Sequence, residues 1–244
     1  MKGVSISVKK KFASLALLSI DLIIVLLLFV FALIIFSMLS YGVLNLKNDE
    51  FDFEVFERLT AIQSPSLTNF MQATTFLGNH QFLIPANLVL IAYFLFIKKH
   101  KWYSIKIPVI AIGGVLLMFL LKTIFNRPRP LIPLLEPVKG LSFPSGHALM
   151  SVAFYGLLIF IIWENMKDRV VKWSLTVICL VIILLIGFTR IYLRLHYFSD
   201  VIAGFSAGVI WLSVSIWVVR RFEVISKRKI EPVLEDQEKE DKNG

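Results

Sequence analysis

The sequence predicts an all-α integral membrane protein, a bundle of six transmembrane helices with both termini cytoplasmic. Three observations predict it. Of the 244 residues 57% are hydrophobic, and the mean hydropathy is +0.76. Several apolar runs approach or exceed the roughly 20 residues that a helix needs to cross a bilayer. The polar stretches between runs are too short for a separate soluble domain. Counting Lys and Arg sets the orientation: with the N-terminus inside, eighteen of the 26 fall on the inner side, the bias that cytoplasmic loops carry. The same placement accounts for the formal net charge of +9 without nucleic acid, because the charges sit in juxtamembrane turns and meet anionic lipid heads. Cys179 is the single cysteine; it excludes an intramolecular disulfide and argues against a zinc–thiolate site.

Residues 1–21 read as a cytoplasmic N-terminus and interfacial segment, with 12–20 as an extension of the first span. That span is expected over 22–41. It follows Lys9, Lys10 and Lys11, as a signal sequence would, but its apolar run is too long for one. No small-x-small cleavage pattern appears near Met38 to Gly42, so the helix is read as retained. Asp21 is read as an interfacial acid rather than an intramembrane one. Segment 45–79 is the longest outer connection. Its Asp49, Glu50, Asp52, Glu54 and Glu57 interleave with Phe51, Phe53, Val55 and Phe56, the pattern of a short amphipathic helix lying over the bundle; a lid is the weaker alternative. The remaining spans are expected over 81–97, 105–121, 145–163, 173–189 and 201–219, so that 22–220 forms the membrane domain. Gly204 and Gly208 make a small-xxx-small step for close helix packing. Residues 221–244 read as a charged cytoplasmic tail, disordered from Glu231 onward.

Against this apolar background three polar clusters stand out, and the orientation puts all of them on the outer side. The first is Lys122 with Arg129 and Pro130 (K-x6-R-P). Pro128 and Pro130 stop the helix and stiffen the loop, holding a guanidinium whose fork suits phosphate oxygens, while Lys122 acts as a point charge. The second is Pro144-Ser145-Gly146-His147. Ser145 is placed to N-cap the fourth span, Gly146 lets a ligand approach the backbone, and the free N–H groups attract an anion. The third is Thr189-Arg190 with His196 and Asp200 (T-R-x5-H-x3-D). Spaced i, i+4, the last two share a face if the sixth helix starts early enough. The carboxylate then fixes the tautomer and leaves a nucleophilic nitrogen; a structural pair or half a metal site is the alternative. Metal is disfavoured because the cluster is dominated by cations, with only the loop acids and Glu136 nearby. Arg127, Lys139 and Arg194 read as side chains snorkelling to head groups. Asn79 and His80 read as interfacial, with a place in the cleft as the alternative, and His100 as unrelated to the cluster.

Together, in this order and on one face, the three patterns resemble the type-2 phosphatidic acid phosphatase (PAP2) superfamily, which shares its fold and site with vanadium haloperoxidases. The family pattern is K-x6-R-P, P-S-G-H and S-R-x5-H-x3-D; the one departure here is Thr189, which keeps the hydroxyl. The resemblance implies a metal-independent lipid phosphatase of the bacterial membrane branch, with no cofactor and a site facing the extracytoplasmic side. His196 would be the nucleophile, Asp200 its orienting acid and His147 the proton donor and then base. Lys122, Arg129, Arg190, Ser145 and the Gly146 amide would hold the phosphate. Such relatives act on undecaprenyl pyrophosphate, phosphatidylglycerol phosphate or phosphatidate, so the implied partners are a lipid phosphate and the bilayer. A lipid phosphotransferase and a non-catalytic lipid-binding or transport protein stand as alternatives.

Overall fold

The computed structural model describes residues 23–46, 49–134 and 139–229. Regular structure among them is helical throughout, and six helices are long and apolar enough to cross a membrane. The segment 12–20, Asp21, Glu136 and the tail from Glu231 lie outside the described residues. The first span, α1 (Ile23–Asn45), leads to two short helices, α2 (Glu50–Thr60) and α3 (Pro65–Thr75). The rest of the bundle is α4 (His80–Ala92, continued by a π-turn over Tyr93–Ile97), α5 (Lys101–Phe125), α6 (Gly146–Asn165), α7 (Arg169–Tyr192) and α8 (Phe198–Lys229).

Every apolar run forms the expected span, but polar ends are drawn into the helices. The largest difference is at α8, which continues through Lys229 where the sequence reading begins a tail at 221. Two ion pairs explain it: Glu223 meets Lys227 at 2.8 Å one turn on, and reaches Lys106 of α5 at 3.1 Å. The first is the spacing that supports an isolated helix, and the second ties that helix to the bundle.

Helix α6 is central and packs on α8, α7 and α5. Lipid tails are as apolar as Leu, so helices in a bilayer associate by close packing rather than by a hydrophobic drive. Here α8 provides it. A Cβ at Gly204 would stand 2.6 Å from the Ser145 carbonyl oxygen, and one at Gly208 would stand 2.7 Å from Val152 Cβ. The glycine step thus lets the start of α8 lie against the start of α6.

Segment 45–79 holds two helices where one was expected. The amphipathic α2 buries Phe56 against Ile191, Tyr197 and Val201. The second, α3, starts at Ser64, whose hydroxyl accepts the Leu67 N–H at 3.3 Å, with Pro65 in the first turn. Ser before Pro is a helix-start signal present in the sequence. Its Leu67 and Met71 pack with Tyr192, Leu193 and Leu195 at the end of α7.

Candidate active site

Four helix termini meet at one end of the bundle: the C-termini of α5 and α7 and the N-termini of α6 and α8. Backbone bonds lock them together. Ser145 N–H donates to the Asp200 carbonyl at 2.9 Å, and Ser142 N–H to the Arg127 carbonyl at 2.8 Å. Asn126 closes α5 in the left-handed region (φ +46°) by donating to the Lys122 carbonyl, after which Pro128 and Pro130 turn the chain away. Beyond α7 the chain wraps tightly, so that the N–H groups of Leu195 and His196 both reach the Arg190 carbonyl, at 3.0 and 3.2 Å.

His196 lies in that turn, ahead of α8. The expected shared helical face is therefore absent, and the tight turn brings the pair together instead. His196 Nδ1 stands 3.6 Å from Asp200 Oδ2. The Ser142 hydroxyl lies between them, 3.4 Å from Nδ1 and in a short hydrogen bond to Oδ2. Oδ2 also accepts the Tyr197 N–H at 2.9 Å, the reach-back of a capping box at the start of α8. The acceptors gathered at Nδ1 favour the tautomer protonated there, with the lone pair on Nε2. Nε2 faces Arg129 Nη1 at 3.3 Å.

His196 is 2% exposed. Burial, then the charges of Arg190, Arg129 and Lys122, push its pKa well below the usual imidazole value. This shift favours the neutral ring, the form a nucleophile requires. Arg129 is held from both sides by the carbonyls of Leu195 (2.8 Å) and Gly140 (3.3 Å), and burial lowers its own pKa somewhat. Lys122 Nζ donates to the Leu141 and Ser142 carbonyls, at 2.5 and 3.4 Å. Arg190 donates through Nη1 to Thr75 of α3 at 3.0 Å, while its buried Nε has no partner.

Ser145 occupies the N-cap position of α6 with extended backbone, yet its buried hydroxyl makes no cap bond and has no partner. Buried polar groups are nearly always hydrogen-bonded. Ser145 Oγ and Arg190 Nε are thus two buried donors of this cluster without a protein partner. Gly146 answers a packing need as well, because a Cβ there would stand 2.4 Å from Met118 Sδ. His147 follows on the first turn of α6, within electrostatic reach of Arg190, His196, Arg129 and His80. Thr189 spends its hydroxyl proton on the Ile186 carbonyl at 2.6 Å.

Two residues read as head-group snorkels do something else. Arg127 is 7% exposed and buried among acids. Its guanidinium meets Asp200 Oδ1 at 2.7 Å, Asp52 at 2.8 Å and Asp49 at 2.5 Å, and stacks over the Tyr197 ring at 4.1 Å. Burial opposes its charge, but the three carboxylates outweigh that and raise its pKa. Arg194 donates to Thr60 Oγ1 at 2.7 Å and lies over Phe56, pinning α2. Lys139 is exposed. Thr75, Ser142, Asp52 and Ser199 also belong to the site, and no spacing in the sequence singles them out.

Fold and site together define a multi-pass membrane protein with cations and two histidines gathered at one end of a helical bundle. The family model of the PAP2 superfamily matches residues 103–223, which include all three clusters. Phosphatidylglycerophosphatase B of Bacillus subtilis (strain 168) is 29% identical over 65% of this chain and 78% of its own. Undecaprenyl-diphosphatase BcrC of the same organism is 27% identical over 50% of this chain and 62% of its own. The crystal structure of a transmembrane PAP2 type phosphatidylglycerolphosphate phosphatase from Bacillus subtilis superposes with a TM-score of 0.71, at 26% identity, covering 83% of this chain and 97% of that one. The chain belongs to the PAP2 superfamily, and the class it falls in is a membrane phosphatase.

Proposed function

We propose that this protein hydrolyses a phosphomonoester or pyrophosphate on a membrane lipid through a phosphohistidine on His196, at a site facing the extracytoplasmic side. One observation carries the reading: a buried imidazole has a carboxylate behind Nδ1 at 3.6 Å and a guanidinium beside Nε2 at 3.3 Å. His196 Nε2 attacks phosphorus and the P–O bond to the leaving group breaks. His147 gives that oxygen its proton. The same imidazole then takes a proton from water, whose oxygen attacks phosphorus and breaks the P–N bond to release inorganic phosphate. Asp200 stabilises the cation that forms on His196. Lys122, Arg129 and Arg190 neutralise the equatorial oxygens, with Ser145 Oγ and the first N–H groups of α6 as further donors. These fixed cations supply the charge that Mg²⁺ supplies elsewhere. Asp49, Asp52 and Asp200 are all engaged by Arg127, which supports a metal-independent reaction. The relatives' names support phosphatidylglycerol phosphate and undecaprenyl pyrophosphate as substrates, with phosphatidate a third candidate of the same chemistry.

Purified protein assayed with excess EDTA on a panel of lipid phosphates and pyrophosphates is expected to release phosphate. Acid-labile phosphoprotein should form in the wild type and be absent in His196→Ala, whose turnover should fall ~10³-fold or more. Full activity in His196→Ala would sink the nucleophile. Loss of wild-type activity in EDTA, restored by Mg²⁺, would sink the metal-free reading.

A further inference from the structure

The geometry points to Arg127 as a positioning residue, clamped by Asp49 at the N-cap of α2 and Asp52 within it so that it holds Asp200 in register with His196. This rests on the reading of His196 as the nucleophile. It makes α2 part of the working site, where a surface helix would ordinarily be only a cover.

Asp200 is fully buried and uses both oxygens. Oδ2 serves Tyr197 N–H, Ser142 and the imidazole, so the carboxylate's rotation is set by whatever grips Oδ1. Arg127 Nη1 grips it, at 2.7 Å. The same Nη1 donates to Ser199 Oγ at 2.8 Å, and Ser199 Oγ donates to Asp52 Oδ2 at 2.5 Å. Asp52 Oδ1 in turn accepts the Ser199 N–H at 2.9 Å, in the first turn of α8. Asp52 is thus bonded both to Arg127 and to the turn that carries Asp200. The guanidinium plane is fixed by stacking on Tyr197, the neighbour of His196. A closed ring of contacts runs from α2 through Arg127 to Asp200 and back through Ser199. A head-group contact would leave Arg127 exposed at the bundle surface. A charge serving only to neutralise Asp200 would need neither Asp49 nor Asp52, which together leave Arg127 over-compensated.

An orienting residue acts on turnover rather than on binding, and displacement of a reacting group by about 1 Å costs ~10²-fold. The full chain in detergent micelles is compared as wild type, Arg127→Gln, Arg127→Ala, Asp52→Asn and His196→Ala. Expected for Arg127→Gln is a kcat lower by ~10²-fold, with inhibition by inorganic phosphate unchanged within about twofold, since Lys122, Arg129 and Arg190 remain. Asp52→Asn keeps Arg127 in place on Asp49 and Asp200 and should lower kcat by ~10-fold, partway to the same loss. Millimolar guanidinium ion should restore part of the Arg127→Ala turnover, which repair of a merely structural defect would not do. Folded Arg127→Gln with wild-type kcat overturns the inference. Where Arg127 variants fail to fold, folded Asp52→Asn at wild-type kcat overturns it equally. Full activity in His196→Ala would instead remove the nucleophile on which the inference rests.

Discussion

The Ser145 hydroxyl is buried at a helix start without a hydrogen bond to the protein, an arrangement that costs folding free energy. Removing an unpartnered buried group is close to neutral for stability, whereas removing one hydrogen bond to a bound anion loses about 1.5–3 kcal/mol. Ser145→Ala should therefore melt at the wild-type temperature or above it, while inorganic phosphate inhibits it more weakly by ~10-fold or more. Parallel loss of melting temperature and phosphate affinity would mean that Ser145 is a structural cap. The buried imidazole makes a second expectation at this scale. With its pKa depressed, His196 stays unprotonated well below pH 6.5, so the acid limb of kcat/KM should lie below that value. Arg129 is one of the cations that depress it. Arg129→Gln removes a charge that disfavours the imidazolium, raises the pKa and should move the limb to higher pH; the substrate's own ionisation cancels in the comparison. A limb that stays in place or moves down would separate Arg129 from His196.

At the scale of the elements, the site depends on how closely α8 approaches α6. Gly204 faces the Ser145 carbonyl, a backbone atom that cannot rotate aside, and the contact sits one turn into α8 beyond Asp200. Gly204→Val should force the two N-termini apart, lowering stability by about 1–3 kcal/mol or more and lowering turnover with it. A thermal melt in detergent checks this; an unchanged melt would mean that the helices do not meet at Gly204. The six spans were legible because each is a long apolar run. The start of α3 was legible too, in Ser64-Pro65, but its length and polarity resemble those of a loop. Arg127 was misread for an instructive reason. Its neighbours in sequence are prolines at a membrane boundary, where cations normally reach for head groups. The acids that bury it arrive from α2, some 75 positions earlier, and from α8, some 73 later.

For the whole molecule, the two ends of the bundle are chemically opposed. One end gathers unpaired donors and cations. The other closes on itself: Lys106 is buried against Glu223 and the rings of Tyr103 and Phe160, and Arg220 and Tyr103 both bond Glu164. Tyr103, Lys106, Glu164, Arg220 and Glu223 line a cleft of about 520 Å³ in which both acids are ion-paired. His100 lines that cleft, at the opposite end of the bundle from the three clusters. The charge bias of the loops predicts that the closed end lies inside. In a Cys179→Ser background, Leu131→Cys beside the site should react with a membrane-impermeant maleimide in intact cells. Lys167→Cys, between α6 and α7, should react only after permeabilisation. The reverse pattern would invert the proposed topology.

The sequence by itself determined the six spans and the order of the three clusters. Apolar length and local spacing are properties of a linear chain, and both survive folding in a bilayer. Tertiary structure alone decided how His196 meets Asp200, why Arg127 is buried, and which buried donors are left without a protein partner. Those facts depend on which helix ends come within 3 Å of one another, and close packing between distant segments sets that distance.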